Sequence, residues 1–244
     1  MDWTDDGIVL SARRHGECAA LVQLLTKGHG RHAGLVRGGA SRRNMGVYQP
    51  GNRVLARWRA RLSEHLGTLN CELVQAYAAE VFGDADSLAG LSAACAVVEA
   101  ALPERQPHEP VFTGLLAVVE NLANDSAWPA IYVRWEIGLL ANLGFGLDLR
   151  RCAATGEIQD LVYVSPKSGR AVSRSAGAAY RDRLLPLPGF LTGGTHVTEN
   201  DVVDGLRLTG HFLSRHVFGP QNHGLPAARV RLYERLSVKC AGAN

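Results

Sequence analysis

Long apolar runs are missing. No stretch of the 244-residue chain approaches the roughly 18 uninterrupted apolar residues that a membrane-spanning helix needs, which excludes such a helix. Cysteine is sparse: Cys18, Cys71, Cys95, Cys152 and Cys240 are odd in number, far apart and never paired as C-x-x-C. That pattern argues for reduced thiols rather than a disulfide framework, with Cys71 and Cys95 as small buried hydrophobes. The opening Met1-Asp2-Trp3-Thr4-Asp5-Asp6 is acidic and lacks a basic lead into an apolar run, so no export signal is visible and a cytoplasmic location is expected. Catalytic signatures are also absent: the chain has no phosphate-binding G-x-x-x-x-G-K-[ST], no G-x-G-x-x-G after a strand, no H-E-x-x-H and no G-x-S-x-G. His211, His216 and His223 do not share a metal-ligand spacing, and Glu64-His65 has no evident third partner. No enzyme and no cofactor are expected.

What the chain does contain is ordinary globular material, 46% hydrophobic and 20% charged with a mean hydropathy of −0.03, enough for one or two domains. Its charge is segregated. Residues 7–71 carry eleven bases against two acids, residues 72–146 two bases against ten acids, and residues 147–244 thirteen bases against eight acids. Such asymmetry points to one module that meets a polyanion and another with a different task.

Residues 7–74 read as five short strands separated by glycine-marked turns, the pattern of a small barrel or sandwich. The fourth, from about Arg53 to Leu62, is the most informative. A period of two puts Val54, Ala56, Trp58, Ala60 and Leu62 on one face and Arg53, Arg57, Arg59 and Arg61 on the other. Alternate arginines project about 7 Å apart, and guanidinium groups donate bidentately to phosphate. Lys27, Arg31, Arg37, Arg42 and Arg43 come from neighbouring turns and the polar 40–46 loop. Trp58 has the parity of a core residue rather than of a base-stacking one.

From about residue 73 the period changes to that of helices, over Ala85–Leu102, Glu109–Asn124 and a third that starts near Pro129 and stops at Gly144. Residues 145–197 fill with turn formers. Thr198 with Asp201 then caps a helix running to about Phe218, followed by a short basic segment from Pro226 to Lys239.

Taken in order, these segments resemble the RecO family of bacterial DNA repair proteins. Gly7-Ile8-Val9-Leu10, His15-Gly16-Glu17, His29-Gly30-Arg31, Gly34-Leu35-Val36-Arg37-Gly38-Gly39 and Gln49-Pro50-Gly51 carry the likeness first. Leu147-Asp148-Leu149, Tyr163-Val164-Ser165-Pro166-Lys167-Ser168-Gly169-Arg170 and Leu185-Pro186-Leu187-Pro188-Gly189-Phe190-Leu191 continue it over nearly the whole chain. The resemblance implies a multi-domain α+β protein: an N-terminal OB-fold β-barrel (1–78), an α-helical domain (79–146 and 198–244), and an inserted degenerate zinc-ribbon-like segment (147–197). It implies a nucleoid-associated recombination mediator that binds single- and double-stranded DNA, anneals complementary strands without ATP, and with RecR helps RecA replace SSB. Family members with zinc carry two C-x-x-C pairs; here the four positions read Cys152, Thr155, Ser173 and Ala176, and one thiol cannot hold structural zinc.

On this reading Lys27, Arg31, Arg37, Arg42, Arg43, Arg57, Arg59 and Arg61 form the DNA-binding set. The C-terminal tail of SSB would meet Arg134, Arg150 or Arg151. Two rivals stand beside it: an OB-fold RNA-binding or translation-associated protein, and a Cys152-dependent hydrolase, which needs a histidine within reach of the thiol.

Overall fold

The computed structural model describes residues 1–62, 64–124 and 126–242, which divide into two compact units: residues 1–125 with 226–229, and residues 126–225 with 230–244.

The first unit is built on a closed barrel of five strands, β1 (Asp2–His15), β2 (Ala19–Thr26), β3 (Gly30–Val36), β4 (Arg53–Arg59) and β5 (Thr68–Gln75), in the order β1-β2-β3-β5-β4. Closure follows from β1, a single 14-residue strand that serves two neighbours. Residues 2–8 pair with β4 and residues 7–15 with β2, and a bulge between Val9 and Ser11 lets the strand turn the corner. A short parallel contact, Leu35 opposite Thr68, joins β3 to β5 and shuts the barrel. This is the OB-fold strand order. Val9, Val22, Leu24, Val54, Ala56 and Trp58 fill the interior. The Trp58 indole N–H donates to the Leu66 carbonyl at 2.9 Å, so the largest core side chain leaves no polar atom unpaired. The β4–β5 hairpin can close over that ring only because residue 67 is glycine: its φ is +68°, and a Cβ there would lie 2.5 Å from the indole nitrogen.

Beyond the barrel come one turn of helix, α1 (Tyr77–Glu80), then α2 (Ala85–Ala101) and α3 (Glu109–Asn121). Asp84 caps α2 by accepting from the Asp86 and Ser87 backbone N–H groups. Helix α2 is apolar on opposite sides because it is covered on both. Cys95 donates to the Val9 carbonyl of the barrel, and Ser87 Oγ donates to the Leu122 carbonyl at the end of α3. Strand β5 ends at Gln75, and the boundary expected near residue 78 falls within α1. The packing nonetheless groups α2 and α3 with the barrel, so the division between compact units falls near residue 125.

The second unit holds α4 (Trp128–Asn142), a three-stranded sheet in the order β7-β6-β8, and two long C-terminal helices. Its strands are β6 (Leu161–Val164), β7 (Ala171–Ser173) and β8 (Leu185–Pro186), with the single turn α5 (Arg174–Gly177) after β7. Gly144, at φ +89°, follows the C-cap of α4 as expected. Thr198 and Asp201 form a reciprocal capping box at the start of α6 (Glu199–Phe212). Inside the unit, Thr209 of α6 donates to the buried Glu136 carboxylate of α4 at 2.5 Å. Helix α6 passes into a six-residue π-helix, Leu213–Phe218, and α7 (Ala227–Gly242) ends the chain. His211 and Arg215 then share an acceptor: His211 Nε2 lies 3.1 Å and Arg215 Nη1 2.8 Å from the Pro166 carbonyl in the β6–β7 turn.

Candidate nucleic-acid interface

Strand β4 shows the alternation that its sequence dictates: Val54, Ala56 and Trp58 are buried, while Leu55, Arg57 and Arg59 are exposed. It stops at Arg59, however, three residues before the expected Leu62. Leu62 is therefore 47% exposed, and Arg61 belongs to the β4–β5 hairpin instead of the sheet.

The pairing register supplies the neighbours of the two arginines. Arg57 lies between Thr4 of β1 and Asn70 of β5, and Arg59 lies between Asp2 and Thr68. Arg59, Arg61, His65, Gly67 and Thr68 line an open depression of about 570 Å³ at the end of the strand. Among the described residues, Arg57, Arg59 and Arg61 make no ion pair, so their donors face solvent.

The other predicted residues separate into two groups. Arg37, Arg42 and Arg43 are exposed on the connection from β3 to β4 and have no carboxylate partner among the described residues. Lys27 and Arg31 instead hold the α2–α3 connection. Lys27 pairs with Glu109 at 3.2 Å. Arg31 donates to the Leu102 carbonyl at 2.8 Å and meets Glu104 at 3.4 Å, with its side chain only 16% exposed. Arg53, on the predicted arginine face, is also engaged: it makes a bidentate contact to Asp6 at 2.7–3.1 Å, and that hydrogen bond raises its already high pKa.

Trp58 is 2% exposed and belongs to the core. Trp3 stacks between Trp58, at 5.7 Å, and His29, at 4.3 Å, which ties the start of β1 to the β2–β3 turn. His29 in turn lies 2.9 Å from the Asp5 carboxylate. The outward face of β4 and its neighbours thus presents the Arg57 and Arg59 guanidiniums among hydroxyl and amide groups, with the carboxylates of Asp2 beside Arg59 and Glu72 beside Leu55, and no aromatic ring. Such a surface matches a sugar–phosphate backbone better than unstacked bases. Thr4, Thr68 and Asn70 went unnoticed in the sequence because only the strand register brings them beside Arg57 and Arg59.

In the second unit, Arg134 donates to the Phe190 carbonyl at 3.1 Å and lies 5.3 Å over the Phe190 ring; Arg150 and Arg151 are exposed. No group of three or more His, Cys, Asp or Glu side chains that could hold a metal ion exists among the described residues. At Cys152 the neighbouring positions supply hydroxyls in place of thiolates. Ser173 donates to the sulfur through its backbone N–H at 3.3 Å and its Oγ at 3.5 Å. Burial alone would push the Cys152 thiol up, but hydrogen bonds from Ser173 and Thr155 reverse this and bring it down to about 6.

Comparison with known proteins completes the picture. The profile described as Recombination protein O N terminal matches residues 1–77, and that described as Recombination protein O C terminal matches residues 83–224. The chain belongs to the RecO family. Three proteins named DNA repair protein RecO illustrate the likeness. That of Rhodospirillum centenum is 59% identical over 237 residues, covering 96% of this chain and 94% of its own. That of Rhodospirillum rubrum is 53% identical over 243 residues, covering 97% and 96%. That of Phenylobacterium zucineum is 54% identical over 240 residues, covering 97% and 98%. The two RecO profiles meet across α1, where the chain leaves the barrel. No helix among the described residues is long and apolar enough to cross a membrane.

Proposed function

We propose that the chain is a recombination mediator of the RecO family that acts by binding rather than by catalysis. It holds single- and double-stranded DNA without sequence preference and anneals complementary strands. With RecR it helps RecA load on SSB-coated DNA, in the cytoplasm at the nucleoid. The observation that carries this reading is the pair Arg57 and Arg59 on the outward face of β4 with Arg61 in the hairpin that follows, all solvent-facing and without an ion pair among the described residues. Arg37, Arg42 and Arg43 extend the proposed contact set from the β3–β4 connection.

The annealing step follows from electrostatics. Cations that neutralise two phosphate chains on one protein remove their mutual repulsion and leave the base edges free to pair. Residues 147–197 fit a zinc-ribbon-like insert in which Ser173 and Thr155 hydrogen bonds around Cys152 stand in for metal ligation.

The test is a fluorescence assay of annealing between complementary strands, one of them coated with SSB. The chain is expected to accelerate pairing at least about tenfold without ATP, and to lose that effect as salt rises. No acceleration, together with tighter binding to RNA than to DNA of the same length, would transfer the barrel to the RNA-binding class.

A further inference from the structure

The second compact unit contains a column of aromatic rings that runs from its core to its surface. Phe212, the last residue of α6, is 1% exposed and anchors the column. The His216 imidazole stacks on that ring at 6.0 Å with 6° between the planes, and Phe145 stacks on His216 at 5.1 Å with 15°. The two phenylalanine rings make no ring contact with each other among the described residues, so the imidazole lies between them. Phe145 is 39% exposed, and the column therefore ends in solvent.

The outermost ring stays uncovered for a local reason. Phe145 lies between Gly144 and Gly146 in the connection after α4, and all three residues are exposed. Gly144, at φ +89°, turns the chain out of the helix, and a Cβ there would meet nothing within 4 Å. The chain neighbours thus supply no side chain to wall the ring in, and Phe145 forgoes the burial that usually stabilises an aromatic residue.

Cations flank the column. The β6–β7 turn packs against its buried end, where a Cβ on Gly169 would lie 3.6 Å from Phe212 Cε1. That turn carries the exposed Lys167, and its Pro166 carbonyl accepts from Arg215, the residue before His216 in the π-helix. Lys167 and Arg215 have no carboxylate partner among the described residues, whereas Asp148, three residues beyond Phe145, is paired with Arg170 at 3.7 Å. A flat ring open to solvent beside such cations matches an unpaired nucleobase and its phosphates, because every base offers a planar face for stacking. An aliphatic or aromatic peptide anchor calls for a walled pocket, which two glycines do not build.

We propose that Phe145 is a base-stacking platform for single-stranded nucleic acid, with Lys167 and Arg215 receiving the adjacent phosphates. This inference rests on the DNA-binding reading given above and adds to it a contact with the bases, which the β4 face, lacking an aromatic ring, does not supply. Stacking occupies the face of a base and leaves its pairing edge free, so the contact is compatible with annealing.

The test compares the full-length parent with F145L, which keeps an apolar side chain but removes the ring, and with F145Y, which keeps the ring. Circular dichroism checks that each is folded. Affinities are measured for a thymidine homopolymer, for an abasic deoxyribose–phosphate strand of the same length, and for an Asp-rich peptide ending in Phe. F145L is expected to bind the homopolymer about tenfold more weakly than the parent, as for one base lost from one ring, with abasic-strand affinity within about twofold and an unchanged salt slope. F145Y should behave as the parent.

Parental homopolymer affinity in F145L would overturn the proposal, and if peptide binding alone were lost the ring would belong to a protein partner. An equal loss on the homopolymer and the abasic strand would also overturn it, since the effect would not depend on bases. If F145L unfolds, the parent decides: a strand carrying 5-iododeoxyuridine should photocrosslink to Phe145, and crosslinks confined to other residues contradict the platform. A parental chain that binds no nucleic acid at all would instead overturn the underlying DNA-binding reading.

Discussion

Replacing Arg57, Arg59 and Arg61 together by alanine is expected to weaken binding to a single strand by on the order of 10²-fold. The slope of log K against log salt should flatten by about two, since each lost phosphate contact on a single strand is worth about 0.7 of slope. All three side chains face solvent and hold nothing else in place, so the melting temperature should stay near that of the parent. The contrasting variant is Arg53→Ala. Arg53 comes from the same strand but its guanidinium is committed to Asp6 at 2.7 Å, with both partners about a third exposed. Its removal should cost at most about 1 kcal/mol of stability and leave DNA affinity within about twofold. Titrations by fluorescence anisotropy at several salt concentrations check both. Equal losses for the triple and the Arg53 variants would indicate a general charge effect rather than a defined row.

The second large effect is on stability in acid. His32 of β3 is 6% exposed, and neither ring nitrogen finds a partner among the described residues. Trp3 and Trp58 pack edge-on against it at 5.0 and 4.8 Å. Burial, reinforced by the nearby Arg105 guanidinium and opposed by the His29 backbone and by Glu104, lowers its pKa to about 4. In the unfolded chain a histidine titrates near 6.5. Between these values the unfolded state binds a proton that the native state refuses. The stability that His32 contributes is therefore complete above about pH 6.5, declines as pH falls, and is gone below about pH 4. The loss is about 3 kcal/mol at roughly 1.4 kcal/mol per unit. His32→Phe removes the titration while filling a similar volume. Urea unfolding at neutral and acid pH should show the parent losing about 3 kcal/mol more than the variant. Parallel curves would mean that His32 takes up its proton in the native state without penalty.

Much of this was legible along the chain. Local rules sufficed for the alternation in β4, the Thr198–Asp201 box and the Gly144 stop, because each depends on residues at most a few positions apart. The conversion of a long β1 into the seam of the barrel was not legible, since only Gly7-Ile8-Val9-Leu10 carries a strong apolar signal and the flanking residues gain strand structure from β2 and β4. The commitment of Arg53 to Asp6 and of Arg31 to Glu104 was hidden for a related reason. Those partners lie 47 and 73 residues away in sequence, and composition counts every arginine alike. The grouping of α2 with the barrel was equally invisible, because a helix covered on two sides shows no single apolar stripe.

The most direct measurement is site-specific photocrosslinking to a single strand of DNA from benzoylphenylalanine placed at Thr4, at Asn70 or at Ser92. Thr4 and Asn70 flank Arg57 across the sheet, whereas Ser92 is exposed on α2. If the β4 face holds the sugar–phosphate chain, crosslinks form at positions 4 and 70, fade with rising salt, and are at background at position 92. Crosslinks at position 92 with none at 4 or 70 would place the strand on another surface of the molecule.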